Sequence, residues 1–282
     1  MSKVKIVVDS SSDIPPILAR KLGIIVVPMP VTVGNRTFLE GIDLFTKDFY
    51  PIFNELTELP KTSQPNLQDL VNCYNEAASD GSEIVAIHLS SGLSGTVQTA
   101  VLAKDMVHAG VRVEIVDSLN ASLGYGLLAV AAAKLVAAGA STDQVIAAVE
   151  KDKHSLCSVF TPGTLEYLIK GGRVNRVSGA VGTLLDIKPL LHVTPAGELE
   201  PFGKIRGRKQ ALRKLAEKLT NEITDPDQQT IGIAHAACQA DAEFLATEVK
   251  QRVDAGDILI SDIGCTIGSH TGPGCIALFY RH

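Results

Sequence analysis

Tryptophan is absent and aromatic residues make up only 5% of the chain. The five cysteines, Cys73, Cys157, Cys238, Cys265 and Cys275, contain no CxxC pair. An odd count without paired spacing excludes a complete disulfide framework and a cysteine-rich zinc site, and favours a reducing compartment. The seven histidines are scattered and no HExxH occurs, so no metal is expected. An excess of positive charge is also missing. Lys and Arg number 26 against 31 acids, a formal net charge of −5, which removes the usual footprint of a nucleic-acid binder. Long hydrophobic runs are lacking too. The longest, Leu127–Ala140, is broken by Lys134 and falls short of the roughly 20 residues of a membrane span. The opening MSKVKIVVDSSSD turns polar too early for a signal-peptide core. These absences predict a cytoplasmic protein with no integral membrane segment and no nucleic-acid partner.

What is present is ordinary for a globular protein: 282 residues, 45% hydrophobic and 20% charged. That length suggests two domains. In the first half, strands and helices alternate. Apolar runs at Val4–Val8, Ile24–Val27, Glu83–Leu89 and Val111–Val116 read as strands. Between them, helices are predicted after Pro15-Pro16, over Thr46–Leu56, from an Asn66 cap to Ala78, and over Thr96–Ala109. A long Ala-rich helix follows Asp117-Ser118, and Ser141 or Thr142 caps another to about Asp152. Gly34-Asn35 marks a hairpin. This rhythm predicts a doubly wound parallel α/β sheet over residues 1–155.

Over residues 156–282 the pattern becomes mixed α/β. LCSVF is a strand and GTLEYLIKGG a short helix. Two strands flank a Pro-Ala-Gly turn. Helices at Gln210–Thr220 and Glu243–Val253 alternate with strands at Ile231–Ala236 and Ile258–Asp262, and Cys275–Tyr280 is the last strand.

Ligands of doubly wound sheets bind outside the carboxyl ends of the strands. Four loops expected there are rich in hydroxyls: Ser10–Asp13 (SSSD), Lys61–Asn66 (KTSQPN), Ser90–Thr96 (SSGLSGT) and Asp117–Ser122 (DSLNAS). Helix capping explains SSSD and DSLNAS adequately. The four small polar residues and two glycines of SSGLSGT exceed what one cap requires, which points to an anion site. No P-loop lysine and no GxGxxG are present. Gly92–Thr96 is one residue away from GxSxG, so a serine hydrolase or acyl transferase using Ser94 and His270 is an alternative. No Asp stands out to orient that histidine. His270 is read in a loop, IGSHTGPG, before the last strand. Two basic segments, GKIRGRK and GGRVNR, are read as exposed.

Together, VDSSSDIP, KTSQPN, HLSSGLSGT, VDSLNASLGYG, LEYLIKGGRVNR, GKIRGRKQA and GSHTGPG resemble, in order and spacing, the DegV family of bacterial lipid-binding proteins. The family's usual TSQPS reads TSQPN here. The resemblance implies two α/β domains with a long-chain fatty acid, such as palmitate or oleate, buried between them. It implies a non-enzymatic carrier in lipid transport or fatty acid metabolism. It also implies a role as the fatty-acid-binding (FakB-type) subunit that presents the carboxylate to a separate ATP-dependent fatty acid kinase. Carried over by motif, Thr62, Ser94 and His270 would bind the carboxylate, and Ser63, Gly95 and Arg206 would lie near the head group. Arg173 would sit in an exposed loop that docks the kinase, without holding lipid. No catalytic residue, metal or cofactor is implied. Leu123, Leu127, Leu165, Leu168, Ile169, Leu184 and Ile187 are candidates for the acyl tunnel, each better explained as ordinary core.

Overall fold

The computed structural model describes residues 3–53, 55–56, 58–174 and 186–282. In chain order the elements begin β1 (Val4–Asp9), α1 (Pro16–Leu22), β2 (Ile25–Val27), β3 (Pro30–Val33), β4 (Arg36–Leu39) and α2 (Thr46–Phe53). They continue with β5 (Lys61–Thr62), α3 (Leu67–Ala77), β6 (Glu83–His88), α4 (Thr96–Lys104), β7 (Val113–Asp117), α5 (Leu123–Ala137) and α6 (Thr142–Ser155). Then come β8 (Leu156–Thr161), α7 (Glu166–Lys170), β9 (Ile187–Val193), β10 (Leu199–Arg206) and α8 (Arg208–Glu222). The last are β11 (Thr230–His235), α9 (Gln239–Lys250), β12 (Asp257–Asp262), α10 (Cys265–Thr271) and β13 (Ile276–Arg281).

The near-continuous apolar strands of the first half form a parallel sheet in the order β2-β1-β6-β7, with Val8 aligned to Ile87 and Val26. Such strands are buried on both faces, as parallel sheets require. Leu70, Val71 and Tyr74 of α3 and Ala100 and Ala103 of α4 cover one face. Residues of α1, α5 and α6 pack on the other. The caps read from sequence are in place. The Asn66 side chain accepts from the Gln68 amide, and Ser141 with Gln144 forms a capping box.

The second half forms a six-stranded mixed sheet, β10-β9-β8-β13-β11-β12. Helices α8 and α9 bury Leu212, Leu215, Leu219 and Leu245 against one face. The fold is thus α/β with one parallel and one mixed sheet. Helix α5 lies against both, touching β1 and β6 of the first and β8, β11 and β13 of the second. That explains why it is apolar nearly all round. At Gly232 of β11 a Cβ would already stand 3.0 Å from Leu127, so the closeness of helix and strand depends on that glycine.

Two elements differ from the sequence expectation. The Gly34-Asn35 hairpin pairs β3 with β4, but Lys61-Thr62 of KTSQPN joins them as β5, making a separate three-stranded antiparallel sheet. The segment before the last strand is the helix α10, where a loop was expected, and it carries His270 in its last turn. Its two internal small residues, Gly268 and Ser269, are poor helix formers, which hides it from propensity. Tertiary packing decides: a Cβ at Gly268 would come 2.5 Å from the Tyr50 hydroxyl.

Candidate functional site

A cavity of about 770 Å³, open mouth included, lies beyond the carboxyl ends of the parallel strands and against the mixed sheet. Its walls are mainly apolar, with Leu89, Leu93, Phe160, Val193, Ile267 and Phe279 among them. Polar side chains gather toward one side: Thr62 on β5, Ser94 in the loop after β6, His270 on α10 and Arg173 after α7. An outer groove, lined also by Leu59, Lys61, Tyr167 and Lys170, shares Thr62, Arg173 and His270 with the cavity. Those three side chains therefore stand between the apolar interior and the molecular surface.

Each hydroxyl at this wall is held by a protein partner. Thr62 Oγ1 lies 2.7 Å from His270 Nε2. Burial, and then the charge of Arg173, lower the His270 pKa to about 4, so the ring is neutral at pH 7. Its Nδ1 is buried with no hydrogen-bond partner among the described residues, beside Gly171, where a Cβ would come within 2.5 Å. An orphaned acceptor costs less than an orphaned N–H. The proton therefore belongs on Nε2, which donates to Thr62 Oγ1 and leaves the Thr62 O–H free to donate elsewhere. Ser94 Oγ is arranged in the same way. It accepts from the Thr96 amide at 3.3 Å and lies 2.8 Å from the buried Thr96 hydroxyl. With Thr96 as donor, the Ser94 O–H is likewise free.

Arg173 is not in the exposed position expected of it. It is half-buried and lines the cavity, because the chain turns back after Gly171-Gly172 and brings the guanidinium under the SSGLSGT loop. Its Nε donates to the Leu93 carbonyl at 3.3 Å and Nη1 to the Gly171 carbonyl at 2.5 Å. Burial lowers its pKa, but a guanidinium remains a cation. Asn175 and Arg176 of GGRVNR lie outside the described residues.

The other expected residues are placed elsewhere. Ser63 points to the exterior next to Thr62. Gly95 starts α4 and faces Gln64, away from the cavity lining. Arg206 is exposed at the end of β10 and is not part of the cavity wall. Of the proposed tunnel residues only Leu168 lines the cavity; Leu184 lies outside the described residues. Ala121 and Ser122 of DSLNAS line it, whereas SSSD does not. Thr266 and Met29 line it without having been singled out. Their signal was missing because Met29 is an isolated residue between strands and Thr266 sits on the unrecognised α10.

The serine-hydrolase pairing is not formed. Ser94 bonds to Thr96, His270 bonds to Thr62, and no carboxylate reaches His270 Nδ1 among the described residues. No cluster of three or more metal-ligating side chains occurs among the described residues. Among the described residues no helix is long and apolar enough to cross a membrane.

The family model described as "uncharacterised protein, DegV family" matches residues 3–282. The chain belongs to the DegV family. A DegV domain-containing protein of Clostridium perfringens is 39% identical over 99% of this chain and 98% of its own. Among solved structures, a DegV family protein of Thermus thermophilus described for its fatty acid binding superposes with a TM-score of 0.91. It is 30% identical and covers 99% of this chain and 100% of its own. DegV of Bacillus subtilis, described as a fatty acid binding protein, gives a TM-score of 0.90 at 31% identity, covering all of both chains.

Proposed function

We propose that this chain binds one long-chain fatty acid, such as palmitate or oleate, and presents its carboxylate to a separate ATP-dependent kinase subunit for acyl-phosphate formation. One observation carries the first part. An apolar cavity ends at two hydroxyls held by protein partners, Thr62 by His270 and Ser94 by Thr96, next to a half-buried arginine; with His270 and Thr96 as donors, both O–H groups are free. Such a wall fits a group that accepts hydrogen bonds and carries negative charge. The neutral His270 acts through Thr62, and Thr96 acts through Ser94. In this reading Arg173, which lines both the cavity and the outer groove, joins the head group as well as facing the kinase.

The energetics divide the work. Each buried methylene contributes about 0.8 kcal/mol, so some fifteen of them give on the order of 12 kcal/mol gross. Ordering and association remove several of these. A hydrogen bond to a charged group is worth about 1.5–3 kcal/mol. The tail therefore supplies most of the affinity and the hydroxyls fix which end lies at the outer groove. The fatty-acid binding reported for the Thermus thermophilus and Bacillus subtilis proteins supports this reading. In it, the parts before and after about residue 155 act as two units with the lipid between them.

Native mass spectrometry of the purified chain, followed by organic extraction, tests binding. One fatty acid per chain is expected. A lipid-free protein that also fails to take up palmitate or oleate would overturn the reading. Phosphoryl transfer to the bound acid by a cognate kinase and ATP tests presentation.

A further inference from the structure

The SSSD loop does not line the cavity, yet it is buried behind it together with a second carboxylate. Asp13 and Glu40, which end two separate stretches of the N-terminal half, converge on the start of α10. A Cβ on Gly264, the residue before that helix, would stand 2.3 Å from Glu40 Oε1 and 2.8 Å from Asp13 Oδ1. The Gly264 amide donates to Asp13 Oδ1 at 2.9 Å. The Thr266 amide donates to Glu40 Oε1 at 3.2 Å, and the Thr266 hydroxyl to Glu40 Oε2 at 2.6 Å. The free amides that open α10 are thus satisfied by side chains more than 200 residues away in sequence.

The same two carboxyls also reach two other points of the cavity wall, one directly and one through Ser10. Asp13 accepts from the hydroxyl of Ser122, a lining residue. Glu40 accepts from Ser10 Oγ at 2.6 Å, and Ser10 Oγ accepts from the amide of Met29, another lining residue. Thr266 lines the wall itself, and six residues beyond Gly264 the same helix holds His270 against Thr62. Burial and then the charge of Glu40 raise the pKa of Asp13 well above its ordinary value, and burial raises that of Glu40. Burying two acids beside the same glycine at such cost calls for a reason beyond one helix cap.

We propose that Asp13 and Glu40 are positioning residues of the ligand site, fixing α10 against the N-terminal half so that His270 Nε2 meets Thr62 Oγ1 at the cavity wall. They touch no ligand. They act through α10, Ser122 and Met29. The proposal rests on the fatty-acid reading only for its consequence on affinity, because the position of His270 can be read without any ligand.

The test uses the full chain in Asp13→Ala, Glu40→Ala, Asp13→Asn, Glu40→Gln and Thr266→Val forms. Nitrogen-15 NMR of the ligand-free histidine side chains reports the Thr62–His270 contact, and a fluorescent fatty acid reports binding. The alanine variants are expected to shift the His270 Nε2 resonance and to weaken binding tenfold or more. The amide variants keep an acceptor at the helix start and are expected to restore the resonance and to bind within about threefold of wild type. Thr266→Val removes a single donor to Glu40 and keeps both carboxyls. A smaller resonance shift is expected from it, and this measurement decides the matter if the alanine variants do not fold. Unchanged His270 resonances in Thr266→Val and in folded alanine variants would overturn the proposal, as would amide variants no better than alanine. If the wild-type chain bound no fatty acid, the fatty-acid reading would fall while the resonance comparison still decided the positioning role.

Discussion

Two polar clusters, each built around a buried histidine and hydroxyl side chains, behave in opposite ways. In the first, Asp9 is fully buried. It accepts from Tyr125 at 2.7 Å, from the Leu89 amide and from the Ser11 hydroxyl, and its Oδ2 lies 3.0 Å from His88 Nδ1. His88 Nε2 in turn meets the Tyr74 hydroxyl at 2.9 Å. Both histidine nitrogens are occupied. In the second, His270 has one nitrogen occupied and, among the described residues, one orphaned, and with His270 and Thr96 as donors the O–H groups of Thr62 and Ser94 are left free. Saturation makes the first cluster part of the frame. Incompleteness, next to an apolar cavity, makes the second the candidate site. Residue type does not separate the two; the balance of donors and acceptors does.

The largest effect that would sharpen this contrast is on stability. Asp9→Ala leaves His88 and Tyr125 buried without their shared acceptor, and a loss of about 3–5 kcal/mol is expected in urea unfolding. A loss below about 1 kcal/mol would erase the distinction. Ser94→Ala or Thr62→Val is expected to do the reverse, weakening palmitate binding tenfold or more with stability changed by only about 1 kcal/mol. Equilibrium titration with palmitate checks this.

The two clusters should also separate on the pH axis. The His270 pKa is depressed from 6.5 to about 4, so between these values the unfolded chain binds the extra proton. Stability is therefore full above about pH 6.5 and falls as the pH drops toward 4, by about 3 kcal/mol at most. Unfolding followed against pH should show this slope in wild type and lose it in His270→Gln. A bound carboxylate should raise the His270 pKa, which an NMR titration with palmitate would reveal. At Asp9, burial raises the pKa, and the His88 contact with the Ser11 and Tyr125 bonds outweighs it, so the net shift is downward. Its contribution, present above 3.8, is lost only as pH falls below that value. Smaller still, Arg206→Ala and Ser63→Ala alter exposed side chains and are expected to leave palmitate affinity within about twofold.

The strands and most helices of the parallel sheet were legible because buried apolar runs and the Asn66 and Ser141 caps are local signals. Helix α4 ends at Lys104, short of the expected Ala109, and α10 stands where a loop was expected. At α10 the packing of Gly268 against Tyr50 overrides local propensity. Thr62, Ser94 and His270 were reached by motif resemblance, and the structure brings all three to one cavity wall. The burial of Arg173 was not legible, because two preceding glycines mark a chain reversal without saying which way it turns. The cavity lining was illegible for a related reason. It comes from strands β8, β9, β10 and β13, from helices α7 and α10, and from β5 and loops of the first half, so no single periodicity records it.

The central claim is that free donors at Thr62 and Ser94 read a carboxylate at the end of an apolar cavity. Competition between palmitate and its methyl ester, in wild type and in a Thr62→Val/Ser94→Ala double variant, tests it most directly. Wild type should prefer the acid by about a hundredfold or more, from two charged hydrogen bonds of about 1.5–3 kcal/mol each, and the double variant should lose most of that preference. Equal affinity of wild type for acid and ester, or an undiminished preference in the double variant, would contradict the account.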